Sequence, residues 1–397
     1  MNSTHQPQDI VIVGAARTPF GRLLGGLSPL AATELGATAI RGALDQASID
    51  PELVDAVLMG QVLQAGAGQN PAKQAARKAG LPERAHATTL NKVCLSGLSA
   101  IIDAARLLRS GEADVVVAGG MESMSNSPHL LPGSRRGHKF GPASLVDHMA
   151  LDGLTDAELG VSMGTMTEGY ADQHPASRAE QDRFSATSHA KAAAAWENGT
   201  MAAEVVPVVI SGRKGETTIE QDEGIRPDST EESLGTLRPA FEKEGTITAG
   251  NSSPISDGAA ATVLTTRALA EEKGWPVLAT VRAVGQVAGP DSSLQVQPAN
   301  ALAQALERQG WEARDLDVVE INEAFAAVGV CSTNQLGIDP AVVNPHGGAI
   351  ALGHPIGASG ARLVTHVAHL LSRGEAHRAG VALCGGGGQG EALLLEN

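Results

Sequence analysis

Apolar residues along this chain fall into two alternating rhythms. Short runs dominated by valine and isoleucine, IVIVG at 10–14, DAVLMGQV at 55–62 and ADVVVAGG at 113–120, have the length of buried strands. Alanine-rich stretches with helical spacing, such as LAATELGATAIRGALDQA at 30–47, separate them. Strands without polar alternation must be covered on both faces, so the pattern predicts an α/β fold with helices packed over a sheet.

The rhythm occurs twice. Ser96-Gly97 leads through AARLLRSGEA into VVVAGG, and Ser359-Gly360 leads through VAHLLSRGEA into VALCGG. The two copies have equal length from Ser96 to Gly111 and from Ser359 to Gly374, after which the second copy carries three extra residues before its expected strand. Shared ends and a shared Leu-Leu pair predict two similar α/β halves. The halves are expected at 1–123 with about 253–275, and at about 276–397.

From about 124 to 252 the texture is more polar, with SNSPHLLPGSRRGHKFGP and a long stretch, SGRKGETTIEQDEGIRPDSTEES, that reads as irregular. A structureless loop of that size is improbable in a compact domain, so the segment predicts an inserted subdomain. Its RAEQDRFSATSHAKAAAAWENG predicts a helix closed by Asn-Gly.

At 397 residues, 42% hydrophobic and 18% charged, the chain has the composition of a soluble globular protein with two or three domains. Nine aromatics against 47 glycines exclude nucleic-acid binding by base stacking. The net charge of -15 opposes a broad phosphate-binding face but leaves room for a local basic patch. Cys94, Cys331 and Cys384 are too few and too scattered for a disulfide framework, and reduced thiols predict a cytoplasmic location. No apolar run reaches the length of a membrane span.

Candidate chemistry sits in three glycine-rich settings. Cys94, in NKVCLSGL, opens a predicted helix, where unpaired N–H groups and the helix dipole are expected to favour its thiolate. His354, in GGAIALGHPIGASG, occupies a turn feeding the second repeat's helix, at the end equivalent to Cys94 although 260 positions away, and is a candidate base. Cys384 precedes Gly385–Gly388, whose successive N–H groups could face a developing oxyanion. Each residue taken alone also fits a buried thiol, a solvated turn histidine or a glycine hinge. Metal binding by His346, His354 and Cys384 lacks a ligand spacing to support it, so no metal is expected.

Together VIVGAARTPFG, NKVCLSGL, VVVAGGMESMSNSPH, DGLTDAELG, LRPAF, TAGNSSPISDGAAA, NEAFA, NPHGGAIALGHPIGASGAR and CGGGGQG resemble the thiolase family from end to end. The resemblance implies duplicated αβαβα layered halves with an inserted loop domain that receives coenzyme A. It implies that Cys94 is the acylated nucleophile, His354 its general base and an enolate-oxygen donor, and Cys384 the acid and base at the carbon beside the thioester. It further implies that Asn322 holds a water for the enolate oxygen and that the N–H groups of Cys94 and Gly386 form a second oxyanion site. Leu154, Met163, Arg226, Phe241 and Ser253 are the implied coenzyme A contacts.

The implied reaction is condensation of two acetyl-CoA to acetoacetyl-CoA and CoA, or thiolysis of a 3-ketoacyl-CoA, with no permanently bound cofactor. SNSPH, SRRGHKFGP and DGLTDA resemble the short-chain biosynthetic members more than medium- or long-chain degradative ones. SRRGHKFGP stands where the family has its tetramer-forming loop, which implies a homotetramer, a dimer of dimers, or else a homodimer. No nucleic acid or membrane partner is implied. The chain departs from the family's pattern at Ser162, Leu95, His346 and SLQVQPANA, none of them among Cys94, His354 and Cys384. A related decarboxylating ketosynthase would carry a histidine in place of Cys384, and a non-catalytic acyl-CoA-binding relative would lack one of the three.

Overall fold

The computed structural model describes Gln6 and residues 8–213 and 215–397. The main strands are β1 (Ile10–Arg17), β2 (Ala56–Gly60), β3 (His86–Leu90), β4 (Val115–Ser123), β5 (Ser256–Thr266), β6 (Ala279–Ala288), β7 (Val318–Ile321), β8 (Arg378–Gly385) and β9 (Gln389–Glu396). They lie side by side in the order β7-β8-β9-β6-β1-β5-β4-β2-β3. The order is a mirror about the β6-β1 junction. On one side β1, β5 and β4 pair antiparallel and β4, β2 and β3 parallel; on the other β6, β9 and β8 pair antiparallel and β8 and β7 parallel. A parallel bridge from Val319 to Val343 stands where the first half has β3. Along the sheet the halves pair through Val11 with Thr280 and Ile12 with Ala279, and Leu278 N donates to the Ile12 carbonyl at 2.8 Å.

Helices α1 (Ala32–Gln46) and α2 (Pro71–Lys78) cover the outer face of the first half, and α5 (Gln297–Gln309) and α6 (Ala326–Leu336) that of the second. Between the halves lie α3 (Ser96–Ser110) and α7 (Ser359–Ser372), which pack on one another and on strands of both halves. β1 and β4 are buried at every position, the condition their unbroken apolar runs anticipate. The αβαβα layering is therefore helices, sheet, paired central helices, sheet, helices.

The repeat is longer in space than in sequence. GEA is followed by one residue, Asp114, before β4, and by one residue, His377, before β8. The three extra residues expected before the second strand are part of that strand. Its true start carries Arg378, whose guanidinium lies 4.5 Å from the centre of the Trp311 ring. The stacked arginine opens β8 without the apolar signature that marks β4.

After Ser123 the chain leaves the sheet and returns as β5, which inserts between β4 and β1. The excursion contains α4 (Arg178–Glu197), whose N-terminus is closed reciprocally: Ser177 Oγ accepts from Glu180 N, and Glu180 Oε2 accepts from Ser177 N at 2.8 Å. Gly199 at φ +83 follows its end. The stretch read as irregular is partly ordered. Val208–Gly212 and Gly215–Ile219 form an antiparallel hairpin, and Glu231–Gly235 a short helix.

Candidate active site

The site forms where the N-terminal ends of α3 and α7 meet. A Cβ on Gly97 would stand 2.8 Å from the Gly357 carbonyl oxygen and 2.9 Å from Ala361 N, and one on Gly360 would stand 2.6 Å from Leu98 N. The helices approach backbone to backbone, which only glycine permits. The Gly357 carbonyl also presses on β4, 1.9 Å from a Cβ position on Gly120. By this contact the loop that carries His354 is seated in the half that carries Cys94.

Cys94 precedes α3 in a tight turn whose preceding residue, Val93, has φ +51, an uncommon conformation for a β-branched side chain. Lys92 anchors that turn: its Nζ pairs with the buried Glu391 carboxylate of β9 at 2.5 Å, and Ser99 Oγ donates to the same group at 2.7 Å. The thiol is half-buried beside Val62, Leu63, Met124 and Ile356. Burial pushes its pKa up to about 12, against the opposing pull of two N–H groups, those of Cys94 and Gly386. The N–H groups act in the expected direction, but desolvation of the charged form outweighs them. Those two N–H groups are the pair named from sequence as an oxyanion site, and both reach the Cys94 sulfur.

His354 is buried and its pKa falls to about 4, because burial and the nearby Arg362 disfavour the imidazolium. Its Nδ1 lies 2.5 Å from Ser359 Oγ, and Ser359 Oγ donates its only hydrogen to the Pro355 carbonyl at 2.9 Å. Ser359 must therefore accept from Nδ1–H, which leaves the Nε2 lone pair free. Nε2 has no partner. A neutral imidazole with a bare, buried Nε2 is a proton acceptor poised for a neighbouring acid.

Cys384 ends β8 fully buried, and burial and the proximity of Cys94 both push its thiol above the ordinary value. Asn322 follows β7, also fully buried, and among the described residues its Nδ2 and Oδ1 both lack a partner. Buried amides are normally satisfied, so both groups mark a place for a polar ligand. Sequence reasoning missed Ser359 as the partner of His354, having read it only as a repeat landmark.

The coenzyme A contacts inferred from sequence divide in two. Leu154 packs in the Cys94 cluster, and its carbonyl accepts from Met163 N at 2.9 Å. Gly164 lies under the Phe241 ring, which meets Phe325 edge to face with centroids 5.9 Å apart, and Ser253 Oγ and N both donate to the Ala324 carbonyl at 3.0 Å. Arg226 lies outside this strip, with an exposed side chain, on a small pocket shared with Arg22, His189 and Ser252. Ser162, a departure from the family's pattern, caps the short helix Met163–Gly169 by accepting from Thr165 N at 3.1 Å. No cluster of metal-ligating side chains occurs among the described residues.

The model of the thiolase N-terminal domain matches residues 10–268, and that of the thiolase C-terminal domain matches 275–397. The chain belongs to the thiolase family. A probable acetyl-CoA acetyltransferase of Mycolicibacterium smegmatis is 56% identical to this thiolase over 97% of the chain and 100% of the relative. One of Mycobacterium tuberculosis is 53% identical over 97% and 98%. An acetyl-CoA acetyltransferase of Cupriavidus necator is 47% identical over 98% and 99%.

Proposed function

We propose that this thiolase is an acetyl-CoA acetyltransferase that joins two acetyl-CoA into acetoacetyl-CoA and CoA, and reverses the reaction by thiolysis, through acetyl-Cys94. The reading is supported by a Cys94 thiol that feels the N–H groups of Cys94 and Gly386 and packs against Ile356, in the loop of a buried His354 whose Nε2 lone pair is free. The relatives named as acetyl-CoA acetyltransferases, matched over nearly their whole length, support the substrate.

In the first half-reaction His354 Nε2 takes the Cys94 proton as sulfur attacks the acetyl-CoA carbonyl carbon. The new oxyanion lies at the N–H groups of Cys94 and Gly386. CoA thiolate leaves and takes a proton from the Cys384 thiol, which becomes a thiolate, while His354 keeps the Cys94 proton on Nε2. In the second, Cys384 thiolate removes a proton from the methyl group of another acetyl-CoA. The enolate oxygen is held by the Nε2–H of the His354 imidazolium and by a water on Asn322. The enolate carbon attacks acetyl-Cys94, the Cys94 thiolate departs and takes the proton back from His354, and Cys384 keeps the proton drawn from the methyl group.

Burial raises the Cys384 pKa, so it rests as a thiol able to protonate the leaving CoA. Part of its elevation comes from the neighbouring Cys94. Coenzyme A and its thioesters act as substrates and not as a resident cofactor. Leu154, Met163, Phe241 and Ser253 would line the path of the pantetheine arm, and Arg226 would meet the nucleotide end.

Assembly as a homotetramer or homodimer is part of the proposal, supported by exposed Leu131, Phe140 and Leu145 in the segment around SRRGHKFGP. A cytoplasmic location fits three free cysteines. Among the described residues no helix is long and apolar enough to cross a membrane. The test is acetyl-CoA incubation, quenching and peptide mass mapping. An acetyl group on the Cys94 peptide is expected, and its absence under turnover conditions rejects the mechanism.

A further inference from the structure

His354 lies between two buried carboxylates that come from different halves of the molecule. Four residues before it, Ile350 N donates to Glu323 Oε2 at 3.0 Å; three residues after it, Gly357 N donates to Glu122 Oε2 at 2.9 Å. Glu122 and Glu323 are 0% and 1% exposed. Each carboxylate also binds a second structural element. Glu122 accepts from Val62 N at 3.0 Å and Leu63 N at 3.1 Å, residues that pack beside Cys94. Glu323 directly follows Asn322 and accepts from Ser188 Oγ and Asn344 Nδ2, both at 2.7 Å. Ser188 Oγ in turn accepts from Gly348 N at 3.0 Å.

We infer that Glu122 and Glu323 are paired positioning residues that clamp the His354 loop from both sides and set its imidazole against Cys94 and Asn322. The inference rests on the assignment of His354 as the base. Three features favour a clamp over ordinary packing. Buried carboxylates are costly to keep, and among the described residues neither has an arginine or lysine as a hydrogen-bond partner, although Arg362 and Lys191 act on Glu323 through space. Their ligands are mainly backbone N–H groups of the segment that carries the base and of the segment that lines the thiol. The glycines at the two grips leave no room for play: a Cβ would stand 2.3 Å from the Glu323 carboxyl carbon at Gly348, and 2.9 Å from Glu122 Oε2 at Gly357.

Glutamine at either position keeps the shape but turns one acceptor into a donor facing an N–H, so one grip of each clamp is lost. A displacement of about 1 Å in a reacting group costs up to about 100-fold in rate. E122Q and E323Q are therefore expected to lower kcat about 10- to 100-fold, with KM for acetyl-CoA within about threefold of wild type. In an H354A background, either substitution should change the residual rate by less than about threefold, because a residue that acts through His354 has nothing left to position.

Folded E122Q and E323Q with kcat within about threefold of wild type overturn the clamp, as does a full multiplicative loss in the H354A background. H354A with wild-type kcat instead overturns the base assignment itself. If a glutamine variant does not fold, S188A tests the Glu323 grip and G357A the Glu122 grip. Each is expected to lower kcat about 3- to 10-fold at unchanged KM, and wild-type kcat in the folded variant rejects that side of the clamp.

Discussion

Ser359→Ala isolates the hydrogen bond that gives His354 its basic nitrogen. In the resting site Ser359 Oγ accepts from His354 Nδ1 at 2.5 Å and is itself fixed by donating to Pro355 O at 2.9 Å. When Nε2 takes the Cys94 proton the ring becomes an imidazolium, and the Nδ1–H bond becomes charge-assisted. Hydrogen bonds to charged groups contribute about 1.5–3 kcal/mol. The site is buried, so water does not replace the lost acceptor. At 1.36 kcal/mol per decade, the loss in kcat is roughly 10- to 150-fold. The assay is steady-state thiolysis of acetoacetyl-CoA from pH 4.5 to 8, alongside a melting curve. Because burial lowers His354 to about 4, its neutral form persists well below the ordinary histidine value, and the wild-type acid limb should lie below pH 6. A folded S359A protein with wild-type kcat, or a wild-type acid limb at 6.5 or above assigned to His354, refutes the reasoning.

Cys384→Ala should still acetylate at Cys94 but lose condensation by about 10²- to 10⁴-fold, the range for a missing proton-transfer group; mass mapping should find the trapped acetyl-enzyme. Gly120→Ala drives a methyl group into the Gly357 carbonyl and should lower both the melting temperature and kcat, whereas a neutral result by calorimetry and thiolysis would show that the loop can retreat. His346 Nδ1 lies 3.0 Å from His366 Nε2, and burial with that neighbour lowers the His346 pKa despite opposing Glu320, Glu375 and Glu204. The folded state then binds fewer protons at His346 than the unfolded chain, so stability falls as pH drops through about 6.5. His346→Asn should flatten the decline in melting temperature between pH 7 and 5, and an unchanged slope in differential scanning fluorimetry would remove His346 as its source.

The sheet and its covering helices were legible because β1 and β4 are buried on both faces and α1 presents an apolar stripe with helical spacing. The repeat was legible in Ser-Gly and Gly-Glu-Ala, but its register was read three residues late, since an arginine stacked on Trp311 starts β8. The hairpin strand Gly215–Ile219 is mostly exposed and polar, and so gave no apolar alternation to read. At the site, residue types could name a thiol and a base but could not weigh burial against a helix end at Cys94. Nor could they show that Glu122 and Glu323, two acidic residues in otherwise apolar runs, face backbone N–H groups far away in sequence.

The seam between the halves divides the reactive groups: the nucleophile opens α3 of the first half, while the histidine, the second thiol and the asparagine belong to the second. Neither half encodes a complete reaction. A chain severed near 274, between the matched domains, would hold its chemistry in escrow until the two fragments associate, and acetyl transfer to Cys94 would then report their docking.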